Sequence, residues 1–186
     1  MSGVRRVVVG VSGSPASIRA LRIAAEHIRR TGVPLLAVHA WVPPGGDLQE
    51  RRAPSPELRA IWKRAALERL ERAIESAGGG PPADVSVEHV VGRGKTGPVL
   101  LDLADSPEDL LVVGAGRRGA VTRLWSGRVR RYCQARAQCL VLVVPPPALA
   151  NSRWNRLNGW SFRRRELTAD RVMRDLENLG PAAAGQ

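Results

Sequence analysis

Residues 110–145, LLVVGAGRRGAVTRLWSGRVRRYCQARAQCLVLVVP, decide the architecture. An uninterrupted apolar run (110–114) leads into a glycine- and arginine-rich loop, a basic helical stretch (127–137) and a second apolar run (139–144) stopped by Pro145, Pro146 and Pro147. Short apolar runs without alternation read as strands covered on both faces. Strands separated by helices are joined in parallel.

Working outward, the same unit recurs. Residues 4–11 (VRRVVVGV) and 33–41 (VPLLAVHAW) are two more β-branched or aliphatic runs, and 84–91 is a third, with more alternation. Between them lie helical patterns. One runs from Pro15 to about Arg30 behind a Ser14 N-cap, with Ile18, Leu21, Ala25 and Ile28 as its stripe, and Thr31-Gly32 as its stop. A second runs from Pro56 to about Ala77, with Leu58, Ile61, Trp62, Ala65, Leu70 and Ile74 on one face and exposed Arg64/Glu68 and Glu68/Arg72 pairs. A short one covers 98–104, after a turn over 92–97. Residues 43–56 read as a long polar loop, long enough to cover or bind something. The expected fold is therefore α/β: five parallel strands with helices on both faces and right-handed crossovers. Ligands of such sheets bind outside the carboxyl ends of the strands, at the point where the winding reverses.

The charge is concentrated. The chain has 29 Lys+Arg, 17 Asp+Glu and a formal net charge of +12. From Leu110 to Arg165 there is no acid, but there are 12 arginines: 117, 118, 123, 128, 130, 131, 136, 153, 156 and 163–165. Those 12 account for the whole excess. Arginine-rich coding would explain why Lys63 and Lys95 are the only lysines, but not why acids vanish from one segment. Such a stretch faces an anion, and arginine suits planar, bidentate contacts to phosphate or carboxylate.

Two strand ends carry glycine-rich loops, Gly10 to Ser14 and Gly114 to Gly127. If those strands are neighbours, the loops face one crevice. Gly114-Ala115-Gly116-Arg117-Arg118-Gly119 fits the dinucleotide spacing G-x-G-x-x-G, but the helix starts near Gly127 and no acid follows at the distance a ribose requires, so NAD is rejected. Free N–H groups at Gly127, Arg128 and Val129 open a helix whose positive end points at the crevice, and Arg117, Arg118, Arg128 and Arg130 add charge-assisted donors. The competing reading makes the glycines turn-formers and the arginines a solvated face. Anion binding is the one carried forward. The candidate site comprises Val11, Ser12, Ala40, Val113, Gly114, Gly116, Arg117, Gly127, Arg128, Val129 and Arg130.

The strand-one segment VVVGVSGSPAS, the strand-two end AVHAW, LLVVGAGRRG and the helix and strand of 127–144 together resemble the universal stress protein family over about residues 1–147. The resemblance implies strand order 3-2-1-4-5, homodimers that pair through the strand from Cys139 to Val144 and, in one branch, binding of ATP or another adenine nucleotide. That branch carries G-x-x-G-x9-G-[ST]. Its first and third glycines fall on Gly114 and Gly127, but the second falls on Arg117 and the hydroxyl on Arg128; Ser12 stands where the branch has an Asp. Arg117 puts a side chain where backbone would meet phosphate, and losing the Asp removes a partner for the adenosine end or a metal.

No catalytic set emerges. His27, His39 and His89 fall in a helix and two strands as structural or surface residues, Ser12 and Ser14 as turn and cap, and Gly94-Lys95-Thr96 lacks the first glycine of a phosphate loop. No metal is expected, and ATP hydrolysis has the least in its favour. Cys133 and Cys139 lack zinc or redox spacing and read as reduced core thiols. No stretch has the ~20 apolar residues of a membrane span, and the start shows no signal sequence, so the expected location is cytoplasmic. Residues 148–186 form an extension outside the domain: a basic, Trp-containing stretch (Trp154, Trp160), then a helix after Thr168 with a Val172, Met173, Leu176 and Leu179 stripe, and a disordered end. The expected function is a non-catalytic stress-response regulator with a nucleotide or anion pocket. The alternative is a ligand-free module whose Arg-rich face and tail bind an acidic protein or nucleic acid.

Overall fold

A computed structural model describes residues 3–52, 54–77, 86–116 and 127–147. The loop that carries Arg117 and Arg118, and the extension 148–186, lie outside them. The element order is β1 (Arg6–Gly10), α1 (Pro15–Thr31), β2 (Leu35–Trp41), α2 (Gly46–Arg52), α3 (Pro56–Ser76), β3 (Val87–Arg93), α4 (Thr96–Leu103), β4 (Asp109–Gly114), α5 (Arg128–Arg136) and β5 (Leu140–Val144). The five strands form one parallel sheet in the order β3-β2-β1-β4-β5.

Alternation along each strand divides the core in two. Val7, Val9 and Val11, with Leu35, Ala37, Leu110, Val112, Leu142 and Val144, point to the face covered by α1 and α3. Val8, Leu36, Val38, Leu111 and Val113 point to the other, covered by α4 and α5. The central strands are apolar on both sides because both faces are dry. Edge strands β3 and β5 are only partly buried. α1 begins as its sequence demands. Ser14 Oγ accepts from Ser17 N at 3.3 Å, Pro15 occupies the first turn, and Gly32, at φ 69°, closes the helix.

The structure differs from the sequence expectation in three places. The loop expected over 43–56 contains α2, which is held down by the buried Glu50. This carboxylate takes Arg59 Nε of α3 at 2.7 Å and an Arg93 guanidinium nitrogen of β3 at 2.6 Å. The stripe of α3 is buried only in its second half, at Ala66, Leu70, Ala73 and Ile74; Leu58 and Ile61 are 46% and 59% exposed. The apolar cluster on this face of the sheet takes in Leu70, Ala73 and Ile74 and none of the first-half residues, so a uniform apolar stripe meets core along half its length. Gly92 and Arg93 belong to β3 rather than to a turn, because they pair with Ala40 and Trp41 of β2.

Cys133 is buried, Cys139 partly so, and both are free. Burial, and Cys139 nearby, push the Cys133 thiol up to about 11, as expected of an inert core thiol. Among the described residues no helix is long and apolar enough to cross a membrane.

Candidate functional site

The site grows from one pairing. β1 lies beside β4, with Gly10 opposite Val113, so the two glycine-rich strand ends open at the same edge. Hydrogen bonds continue beyond the strands: Val11 N donates to Val38 O at 2.8 Å, and Ala115 N to Val144 O at 2.8 Å. Val11 and Val113 are buried floor; Ala40 and Gly114 are half-buried at the rim, and Ser12 is exposed. His39, one residue before Ala40, sets its Nδ1 2.7 Å from Val11 O, which fixes the end of β1 against that of β2.

The turn from β1 into α1 presents three hydroxyls. Ser12 Oγ lies 3.1 Å from Ser14 Oγ and 3.2 Å from Ser17 Oγ; Ser17 Oγ also accepts from Ser12 N at 3.2 Å and donates to Ser14 O at 2.9 Å. Ser12, which stands where a carboxylate is expected, is thus tied into its own turn and carries no charge.

Gly114 has a packing reason to be glycine. A Cβ there would stand 2.7 Å from both Ala16 C and Ser17 N, inside the backbone of α1, so the missing side chain lets the first turn of α1 close on the end of β4. Two residues on, Gly116 has φ 83°, a conformation that other residues resist, and it turns the chain out of the sheet.

The start of α5 lies at the same end of the sheet, because α5 follows β4 and leads into the parallel β5. Gly127 caps α5 without a side-chain hydrogen bond, and the first turn holds no acid, so the positive end of the helix is not neutralised from within. Arg128 is exposed, Val129 packs partly against the α4–α5 core, and Arg130 is half-buried with its Nε shielded from water and unpartnered. Of the predicted site residues, the structure thus brings Val11, Ser12, Ala40, Val113, Gly114 and Gly116 to the carboxyl edge, and puts Gly127, Arg128, Val129 and Arg130 on the α5 start; Arg117 lies outside the described residues. Among the described residues no group of three or more His, Cys, Asp or Glu is placed to hold a metal ion.

Sequence reasoning missed Ser17 and His39 as builders of this edge. Ser17 is one more small residue in a helix, and a lone histidine in a strand has no signature. Of the other histidines, His89 is exposed on β3, and His27 is buried in α1 with neither ring nitrogen hydrogen-bonded; burial and nearby Arg30 lower its pKa.

Comparison with known proteins bears on the family and the fold. The model of the universal stress protein family matches residues 3–145. A universal stress protein of Mycobacterium tuberculosis is 33% identical over 138 residues, 74% of this chain and 44% of the relative. A second from that organism is 33% identical over 144 residues, again 44% of its length. The chain therefore spans less than half of these relatives. Among solved structures, a universal stress protein in complex with cAMP is 28% identical at a TM-score of 0.50, covering 78% of this chain and all of that one. One from Archaeoglobus fulgidus is 27% identical at 0.52, covering 75% of this chain and 97% of its own.

Proposed function

Because the chain belongs to the universal stress protein family, we propose that it is a non-catalytic stress-response regulator whose carboxyl-edge crevice takes an adenine nucleotide or a related anion. The observation that carries this reading is the β1–β4 pairing, which sets the ends of two glycine-rich stretches side by side at one edge of the sheet. The cAMP complex of a relative with the same sheet supports the class of ligand. The way the ligand is held differs from the family pattern. With Ser12 uncharged and Arg128 and Arg130 on the start of α5, recognition rests on arginine and helix N–H donors to phosphate rather than on an acid and a hydroxyl. A low-charge ligand such as cAMP or AMP would leave more of that donor capacity unused than ATP, so affinity should rise with phosphate number. Homodimerisation through β5 is part of the same proposal, supported by its place at the sheet edge with Leu140 48% exposed.

The test is calorimetric titration of nucleotide-stripped protein with ATP, AMP and cAMP at two salt concentrations, with and without magnesium. One-site binding that survives added salt is expected. It should weaken at least about 10-fold in Arg128→Glu/Arg130→Glu, since each charge-assisted hydrogen bond is worth about 1.5–3 kcal/mol. No heat, or weak salt-erased binding shared by pyrophosphate and RNA, would overturn the reading.

A further inference from the structure

Beyond the crevice and the β5 edge, the described surface holds a further unpartnered apolar face. The first half of α3 carries Leu58, Ile61 and Ala65 at steps of three and four, all exposed, with Trp62 half-buried beside them. Leu48 on α2 is 64% exposed, and α2 is fastened to this end of α3 by the Glu50–Arg59 pair. A helix that begins with Ser55 Oγ accepting from Leu58 N at 3.2 Å is formed from its first turn, so these residues are not frayed ends. They are a ready-made surface for another amphipathic element.

We infer that this surface is covered by the C-terminal segment of the same chain, residues 168–179, through Val172, Met173, Leu176 and Leu179. Three observations converge. First, the sequence spaces those four residues at helical intervals on a segment that lies beyond the family domain, which ends at residue 145. Second, charge is complementary. The exposed cations around the face are Arg51, Arg52, Lys63 and Arg64, against Glu57, with Glu50 already neutralised. Residues 168–179 carry three acids, Asp170, Asp175 and Glu177, against two arginines, Arg171 and Arg174, so the segment has a formal charge of −1 beside a face that is net positive. Third, the path is short. All strands are parallel, so β5 delivers the chain to the same end of the sheet from which β2 leads into α2, and only β4 and β1 stand between. Three strand spacings are about 15 Å. The 20 residues 148–167 could span about 70 Å when extended, and about 25 Å as a flexible coil. Intrachain docking needs no partner and carries the concentration advantage of a short tether.

The test is hydrogen exchange on the full chain, comparing wild type with Met173→Asp/Leu176→Asp and, separately, Ile61→Asp. Ile61 is more than half exposed in the domain, so its substitution leaves the fold intact. Docking predicts at least about 10-fold faster exchange of amides in 58–66 in the tail variant, faster exchange of 170–179 amides in Ile61→Asp, and unchanged exchange in β1 and β4. A disulfide between Ile61→Cys and Leu176→Cys, in a Cys133→Ala/Cys139→Ala background, should form within single chains and independently of concentration. Unchanged exchange in both variants, or a disulfide formed only between chains, would overturn the inference. The second result would assign the face to another copy.

Discussion

The two ends of this sheet are built on opposite principles. At the amino end, Arg6 meets Asp109 through two contacts, Nε to Oδ1 at 3.0 Å and a terminal nitrogen to Oδ2 at 2.7 Å; it also donates to Leu103 O at 2.9 Å and approaches Asp105 at 3.3 Å. Asp109 takes Ser106 N as well, and Arg5 pairs with Glu108. At the carboxyl end there are glycine turns, three neutral serine hydroxyls and a helix start with arginines and no acid in its first turn. One end consumes its polar groups internally and holds strands β1 and β4 in register. The other sets Arg128 and Arg130 on a helix start that has no acid in its first turn, a fixed positive frame of the kind an anionic ligand requires.

Gly114 is where that contrast can mislead. It lies at the carboxyl end but serves packing, and Gly114→Val should cost about 3 kcal/mol or more because the new side chain meets backbone of α1. Urea denaturation of the variant checks this. A stability change below about 1 kcal/mol would return Gly114 to a purely ligand-facing role. At the amino end, Asp109→Ala should cost about 2–3 kcal/mol: it strands Arg6, which is still partly wetted, and so falls short of the full penalty for a dry ion pair. Nucleotide affinity should be unchanged in the folded fraction. Arg128→Glu/Arg130→Glu inverts the pattern, with a stability change of about 1 kcal/mol or less and nucleotide affinity weakened at least about 10-fold. If both variants moved the same property, the division between the ends would fail.

The smallest effect expected is on pH dependence. Burial, and then Arg30, hold the His27 imidazole below its ordinary pKa. As pH falls through the ordinary histidine range, the unfolded chain binds a proton that the native helix refuses, so stability should fall on acidification. His27→Leu should flatten that slope in denaturation curves recorded at about pH 7.5 and about pH 5.5. An unchanged slope would show that His27 does not set it.

Much of this was legible in the chain. Buried-strand runs, the Ser14-Pro15 start and the Gly32 stop each have a local physical cause, so helix α1 and the strands were recoverable within a few residues. The crevice was legible as two loops, but their adjacency is a property of strand order, which the residues suggested only through family resemblance. What could not be read was non-local. Glu50 finds Arg93 43 residues away in sequence, so α2 looked like polar loop. Gly114 looked like a phosphate-loop glycine until the backbone of α1 was seen against it. The α3 stripe is periodic throughout, and only its packing against the rest of the domain decides where burial ends.

The most direct test of the central claim is to map bound ATP by amide chemical-shift perturbation in the full-length protein. The account predicts shifts that saturate together at Val11 to Ser17, Ala115 and Gly116, and Gly127 to Arg130, with Arg6 and Asp109 unmoved. Shifts confined to the amino end or to α3, or none at saturating nucleotide, would contradict it.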